Sequence, residues 1–353
     1  MHKHNLPFEQ ASSSEREDTL SAITESAEKV LHHDRVRSRK LRFSRPGFEK
    51  TKWKEFAELG WLMLRVGEDR GGLGMGSPEV CAIARQMGRE LTPEPILSAA
   101  LTAPVLPDRE LAGLLNGDKI ILPAFASYGS DLVVSESGAV SGQLDPIPYG
   151  LGADQYLIQT PLGASLVKAS DQGVTSSVHE THDGGHSVVL AFEQASLTAI
   201  DASLTLVREE AALALSAYLL GVAETALEIT LEYLKDREQF GKPIGSFQAL
   251  QHKAVDLSLE LWLLRTAVEA AGRGIDEGAA HDEVCRIVSL AKARAIKAAN
   301  EITRSAIQLH GGIGYTDEAD IGLYLRKTMT LAGLLGSERF HRQRAFSFSG
   351  VMK

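Results

Sequence analysis

After Pro161 the chain contains a single further proline, Pro243, although it has 12 in all. Proline ends helices because its ring removes an N–H donor and fixes φ, so a long stretch without it leaves room for long helices. Apolar residues recur at helical spacing through this half, and Trp262 is predicted to lie in the core. The pattern predicts a C-terminal four-helix bundle built from three long helices and two shorter ones, at 204–234, 247–272, 281–309, 321–334 and 338–346.

Two other patterns precede the bundle. Helical spacing recurs first, and short β-like runs separated by turn residues follow, including a hairpin candidate at 131–143. The basic segment 35–45 predicts an irregular, solvated linker. The fold class is therefore α+β with several domains. We predict a mobile tail at 1–13, an N-terminal helical domain at 14–117, a small middle β-barrel or sandwich domain at 118–203 and the bundle at 204–353.

Composition excludes several classes of function. The net charge of −9 argues against a nucleic-acid-binding protein. Cys81 and Cys285 lie far apart without the spacing of a metal site, which favours a reduced, cytoplasmic setting and predicts no bound metal. The first residues are polar, so no export signal is expected. No apolar run approaches the roughly 20 residues of a membrane span, so none is predicted.

The turn between the first two long helices carries the strongest chemical signal. It reads DREQFGKPIGSFQALQH from Asp236 to His252, and Pro243 ends the preceding helix. Arg237 and Lys242 lie where two helix ends meet, so they can hold an anion. A second turn, QLHGGIGY, begins at Gln308 and contains three glycines. A simple helix cap needs one glycine, whereas several let a ligand approach the backbone.

Taken together, these segments resemble the acyl-CoA dehydrogenase family of flavoproteins. The matching motifs are RxxFG, PIxxFQ and QxHGGxGY, with WxxxxxLGW and a glycine-rich EDRGGLGMG nearer the start. The resemblance covers nearly the whole chain. It implies FAD as cofactor and subunits that pack through their C-terminal bundles, so that this turn reaches the FAD of a neighbouring subunit. Carried over by position, the cofactor-binding residues are Arg237 and Gln239 at the pyrophosphate, Phe247 and Gln248 on the flavin nucleotide, and Gln308, Gly311 and Gly312 near the adenosine.

The family reaction is α,β-dehydrogenation of an acyl-CoA thioester, in which a carboxylate removes the α-proton and the flavin accepts a hydride. The usual base is a glutamate whose position here falls on Leu335, and Glu338 lies three residues later. Other members carry the base on the first long bundle helix, at the position of Ala211. The adjacent Glu210 is therefore the candidate catalytic base. The alternative is that Glu209 and Glu210 form a solvated patch near a helix start.

The middle domain also departs from the family pattern, since only Gly129, Ser130 and Asp131 match a flavin-contact motif. A short, divergent chain of this kind resembles subunits of heteromeric acyl-CoA dehydrogenases that act on bulky acyl groups such as steroid side chains. Three interpretations stay open. The chain is an active dehydrogenase within a homo- or hetero-oligomer that is a dimer of dimers, or a partner subunit without a base, or an enzyme for another flavin oxidation or oxygenation. The implied partners are an acyl-CoA substrate and an electron-transfer flavoprotein or another acceptor.

Overall fold

The computed structural model describes residues 13–32, 34–126, 132–161, 163–197 and 199–349. Its N-terminal part is helical, as predicted. The helices pack around buried aromatic residues such as Trp53 and Phe56. They are α1 (Ser13–Leu31), α2 (Asp34–Leu41), α3 (Lys50–Glu58), α4 (Ser77–Glu90), α5 (Ile96–Thr102) and α6 (Asp108–Leu115).

The prediction of a solvated linker at 35–45 is wrong, because most of this segment forms α2 and is held by ion pairs. Arg37 donates to Asp34 and to both carboxylate oxygens of Glu94, at 2.6 and 2.7 Å. Arg39 and Arg42 contact Asp317, near the bundle. The segment resembles a linker in the sequence because it is rich in basic residues, and several of the acids that pair with them, such as Glu94 and Asp317, lie far along the chain.

Two sheets follow, which confirms the middle β region. The strands are β1 (Ile121–Ala124), β2 (Val133–Val134), β3 (Val140–Gln143), β4 (Ile147–Pro148), β5 (Gln155–Thr160), β6 (Gly163–Val167), β7 (Val174–Glu180), β8 (His186–Ala195) and β9 (Ala199–Ile200). One sheet has the order β1-β5-β6-β9, with β1 and β5 parallel, and the other has the order β2-β3-β8-β4, with β7 also paired to β8. The predicted hairpin is the antiparallel pair β2-β3.

The sequence did not predict β4 or β7, and each of these two failures has a physical reason. Pro148 lies in β4, and proline within a run argues against a strand. β7 is exposed at every position after Val174, so it lacks the buried alternation that identifies a strand.

The predicted helical bundle is confirmed, and its centre is the first long helix. A turn with the short strand pair β10 (Glu238–Gln239) and β11 (Lys242–Pro243) joins the first two long helices. The five helices are α7 (Thr205–Asp236), α8 (Gln248–Asp276), α9 (His281–His310), α10 (Ile321–Leu331) and α11 (Glu338–Ser347).

Close packing of α7 against α4 depends on glycine. A Cβ added to Gly221 would lie 1.9 Å from the Arg85 carbonyl oxygen, and one added to Gly88 would lie 1.9 Å from that of Tyr218. A larger residue at either position would force the helices apart. The helix α7 is also long and apolar enough to cross a membrane by length and composition, which the sequence reading overlooked. Its most apolar window is 83% buried inside the fold, as expected for the central helix of a bundle.

One face of α8 departs from the prediction of a buried core. Trp262 is 61% exposed, and Val255 and Leu259, two turns and one turn before it, are 56% and 55% exposed. These three residues lie at helical spacing on the same face, which we call the α8 apolar face. Exposed aromatic and aliphatic residues grouped in this way are typical of protein–protein contacts.

Candidate functional site

The turn after α7 presents its charged and aromatic residues to the outside. Arg237 ends the helix, and its backbone carbonyl accepts a hydrogen bond from Ile244, 2.8 Å away, which closes the turn. The Lys242 ammonium lies 4.3 Å from the centre of the Phe247 ring. Phe240 packs edge-on against the same ring and is 92% exposed. The turn is thus held by these contacts and open to the outside.

The second turn lies beside the first at one end of the bundle. The rings of Tyr233 in α7 and His310 in α9 stack with centroids 4.4 Å apart, and the Tyr233 hydroxyl donates to the His310 carbonyl at 3.2 Å. Gly311 follows with φ 64° and ψ −141°, a conformation that favours glycine. A Cβ added at Gly311 or Gly312 would meet nothing within 4 Å, so the backbone here is open to a ligand.

These residues fit the pyrophosphate and adenosine half of a flavin dinucleotide. An arginine fork offers charge-assisted hydrogen bonds to a diphosphate, and glycine backbone lets a nucleotide approach closely. Six of the seven predicted cofactor-binding residues are exposed, namely Arg237, Gln239, Gln248, Gln308, Gly311 and Gly312, while Phe247 is half-buried. Their exposure suits a ligand held on a neighbouring molecule. We call the two turns, Arg237–Gln248 and Gln308–Tyr315, the bundle-end site.

A cavity of about 610 Å³ lies elsewhere, where the three parts of the chain meet. The helix α7 contributes Ala211, Ala214, Leu215 and Tyr218 to its wall, and the loop after α10 contributes Leu335 and Gly336. The N-terminal part supplies residues from Met87 to Leu101, and the middle part supplies Pro123–Phe125 and Asp145–Tyr149. The motif Gly129–Asp131 lies outside the described residues. The cavity has room for a ring system or an acyl group.

The two positions predicted to correspond to the family's base, Leu335 and Ala211, are apolar and line this cavity. Leu335 has φ 56°, and its carbonyl accepts a hydrogen bond from His341 Nε2 at 2.7 Å. Burial lowers the pKa of His341 to about 4, so the ring is neutral near pH 7. The Lys292 ammonium group donates to the Ala332 carbonyl at 3.3 Å. The backbone of the loop at Leu335 is therefore held in place by two buried side chains, His341 and Lys292.

The structure places Glu210 outside the residues that line the cavity. Its Oε1 lies 2.5 Å from Arg65 Nη2 and accepts from Ser77 Oγ at 3.0 Å. Glu209 forms a two-pronged pair with Arg344, at 2.6 and 2.9 Å. The two glutamates are 7% and 2% exposed, so the interpretation as a solvated patch is wrong. Both carboxylates hold bundle helices to their neighbours.

Sequence reasoning named Glu338 but missed two other acids near the cavity. Glu338 does not line it and lies 3.6 Å from Arg342. Among the described residues that line it, the carboxylates are Glu94 and Asp145. The Glu94 side chain is fully buried and is held by Arg37 and by the Glu49 backbone N–H. Glu94 lies between Pro93 and Pro95, directly before a helix. This position is the sequence signal that could have predicted a structural role for its side chain.

Family models match two parts of the chain. "Acyl-CoA dehydrogenase, N-terminal domain" matches residues 13–106, and "Acyl-CoA dehydrogenase, C-terminal domain" matches residues 205–345. The acyl-CoA dehydrogenase IpdE2 of Mycolicibacterium smegmatis is 28% identical, over 94% of this chain and 98% of that protein. The IpdE2 of Mycobacterium tuberculosis is 30% identical, over 83% of this chain and 85% of that protein.

Solved structures share the fold over nearly the full length. The "Tcur3481-Tcur3483 steroid ACAD G363A variant" superposes with a TM-score of 0.85 at 28% identity, covering 94% of this chain and 98% of that one. The ChsE4-ChsE5 complex from Mycobacterium tuberculosis superposes with a TM-score of 0.83 at 22% identity, covering 96% and 97%. Family models over most of the chain, full-length relatives and the shared fold agree. The chain belongs to the acyl-CoA dehydrogenase family of oxidoreductases.

Proposed function

We propose that this chain is a subunit of an oligomeric, FAD-dependent acyl-CoA dehydrogenase that introduces an α,β double bond into a bulky acyl-CoA thioester. Within that oligomer, the bundle-end site completes the FAD site of a partner subunit, and the partner supplies the catalytic base. One observation carries the proposal. The residues that fit a flavin dinucleotide are exposed at the bundle end, whereas Leu335 and Ala211 leave this chain's own cavity without a base at either family position.

FAD, when bound, accepts the hydride that leaves the β-carbon. The role of this chain is to bind and orient it. Arg237 neutralises the pyrophosphate with Gln239 beside it, Phe247 and Gln248 contact the nucleotide, and Gln308, Gly311 and Gly312 leave room for the adenosine. An arginine suits this task because its planar fork matches two phosphate oxygens and keeps its charge at every working pH.

The α8 apolar face supports the assembly that this division of labour needs. Val255, Leu259 and Trp262 lie on the helix that begins directly after the Arg237 turn, so contact through this face would bring the bundle-end site to a second subunit. Two of the solved relatives are named for pairs of different chains, Tcur3481-Tcur3483 and ChsE4-ChsE5, which fits a heteromeric assembly. The first of them is called a steroid enzyme, which fits a bulky acyl group. The electrons would pass to an electron-transfer flavoprotein or another cytoplasmic acceptor.

Co-expression tests the proposal directly. The chain should be produced alone and together with a family member that has a glutamate at the position of Leu335. We expect the co-purified complex to hold about one FAD for each pair of subunits, measured by absorbance, and to reduce an artificial electron acceptor with an acyl-CoA. The chain alone should hold little flavin and show no activity. Full flavin loading and turnover by the chain alone would contradict the division of roles.

A second candidate keeps Glu210 as the base, which requires it to leave Arg65 and turn inward. Under the proposal, Glu210→Gln in the co-purified complex should leave kcat unchanged. It should also lower the free energy of unfolding by about 1–3 kcal/mol, because Arg65 loses a charged partner. Steady-state kinetics and thermal melts measure the two effects, with Glu209→Gln as a matched control on the same helix. A kcat loss of about a hundredfold or more in Glu210→Gln alone would establish Glu210 as the base.

A further inference from the structure

A buried ion pair lies against the cavity wall and takes no part in the function described so far. Lys327 on α10 contacts Asp183, which lies in the turn between β7 and β8. The two side chains are 8% and 6% exposed. Burial opposes ionisation of Asp183, but Lys327 outweighs it and lowers the pKa of this carboxyl to about 2. The pair therefore stays charged near neutral pH, which places a fixed ammonium group beside the cavity.

That ammonium group is directed at a tyrosine. Lys327 Nζ donates to the Tyr149 hydroxyl oxygen at 3.1 Å, and both residues line the cavity. Tyr149 has φ 54°, a conformation that costs a non-glycine residue roughly 1–2 kcal/mol. Its ring is held edge-on by Phe48, with centroids 6.4 Å apart, and by His186, with centroids 5.6 Å apart. The ring position is thus set by several contacts and by a strained backbone.

The hydroxyl hydrogen of Tyr149 is available for a further bond. Burial raises the pKa of Tyr149, and Asp183 adds to that effect while Lys327 opposes it, so the phenol stays protonated. Because Lys327 occupies a lone pair of the oxygen, the O–H group must find its acceptor elsewhere. Among the described residues, no hydrogen bond donated by this hydroxyl is formed. Tyr218, another tyrosine in the wall, donates instead to the Thr92 carbonyl at 3.1 Å.

We propose that Tyr149 donates a hydrogen bond to a carbonyl oxygen of the molecule that occupies this cavity, with Lys327 and Asp183 as its positioning residues. The inference rests on the proposed function, because the carbonyl belongs to the acyl-CoA thioester that the complex binds. The cavity of this chain is then a binding site in its own right, although it lacks a base at Leu335 and Ala211. A neighbouring cation polarises the phenol, so the bond favours a carbonyl over a non-polar group.

The test compares Tyr149→Phe with Tyr218→Phe in the co-purified complex. Three probes are titrated by calorimetry: FAD into flavin-free complex, cyclohexylpropanoyl-CoA, and the same thioester with a ring ketone at carbon 4. We expect Tyr149→Phe to weaken one class of probe by about three- to tenfold relative to Tyr218→Phe. Lower affinity for both thioesters identifies the thioester carbonyl, and lower affinity for the ketone alone identifies an oxygen on the acyl group. Lower affinity for FAD alone would contradict the inference.

A second measurement keeps the tyrosine side chain, so it does not depend on whether the phenylalanine variants fold. With 3-fluorotyrosine at position 149, the ¹⁹F signal should shift when a thioester probe is added. The shift should be larger than that of the same label at position 218, which lies in the same wall but where the native hydroxyl donates to Thr92. Equal affinities of both variants for all three probes, together with a silent label at position 149, would overturn this inference alone. A wild-type complex that binds neither FAD nor either thioester would overturn the proposed function as well.

Discussion

Replacing Arg237 by alanine is expected to weaken FAD binding by the co-purified complex at least about tenfold, because a charge-assisted, two-pronged contact with the pyrophosphate is lost. The turn itself should persist, since the backbone bond between Ile244 and the Arg237 carbonyl does not involve the side chain. The measurement is a titration of flavin-free complex with FAD, followed by fluorescence quenching. Acyl-CoA turnover should fall in proportion to flavin occupancy and recover with excess FAD.

Two further variants make this result specific. Arg237→Lys keeps the charge but loses the planar fork, so its affinity should lie between those of the wild type and Arg237→Ala. Arg109→Ala removes another exposed arginine, in α6, and should leave FAD affinity unchanged. An Arg237→Ala complex that binds FAD as tightly as the wild type would remove this residue from the cofactor site.

Lys292→Met should stabilise the chain near pH 7, by about 1–3 kcal/mol. Lys292 is fully buried, and burial lowers its pKa from the ordinary 10.5 to about 7. Between these two values the unfolded chain binds a proton that the folded chain does not. Wild-type stability should therefore rise with pH through this range, relative to the variant, at about 1.4 kcal/mol per pH unit. Below pH 7 both states are protonated and the difference should level off.

Urea unfolding of the two proteins from pH 6 to pH 10 measures this difference. Lys297→Met is the matched control, because Lys297 lies on the same helix but is 46% exposed and paired with Glu260. The control should show no comparable slope. A constant difference between wild type and Lys292→Met across the range would mean that Lys292 keeps an ordinary pKa in the folded chain.

The sequence predicted the three-part fold well, because its strongest signals are local. The scarcity of proline after Pro161, the helical spacing of apolar residues and the glycines at Gly311 and Gly312 all act within a few turns of chain. The same holds for the bundle-end site, whose residues form two short motifs. Their predicted contact with FAD stays a prediction, but the structure does bring the two turns together through Tyr233 and His310.

The cavity could not be predicted in the same way, because its polar residues have distant partners. Glu94 is neutralised by Arg37, and Lys327 by Asp183. No local pattern connects the members of these pairs, and each appears in the sequence as an ordinary surface charge. Trp262 shows the opposite error, since an apolar residue at core spacing proves to be exposed. A monomer's sequence does not distinguish a buried core from a face that is covered only on assembly.

The exposure of Arg237 has a consequence for how such an assembly behaves on dilution. If one subunit supplies the cavity for the flavin and another supplies the arginine, FAD and the partner subunit become reciprocal ligands, each raising the affinity for the other by the same factor. Flavin occupancy would then depend on subunit concentration by mass action, and added FAD would hold the complex together at concentrations where the flavin-free subunits separate. The balance of the two subunits in the cell would thus set the fraction of enzyme that carries its cofactor.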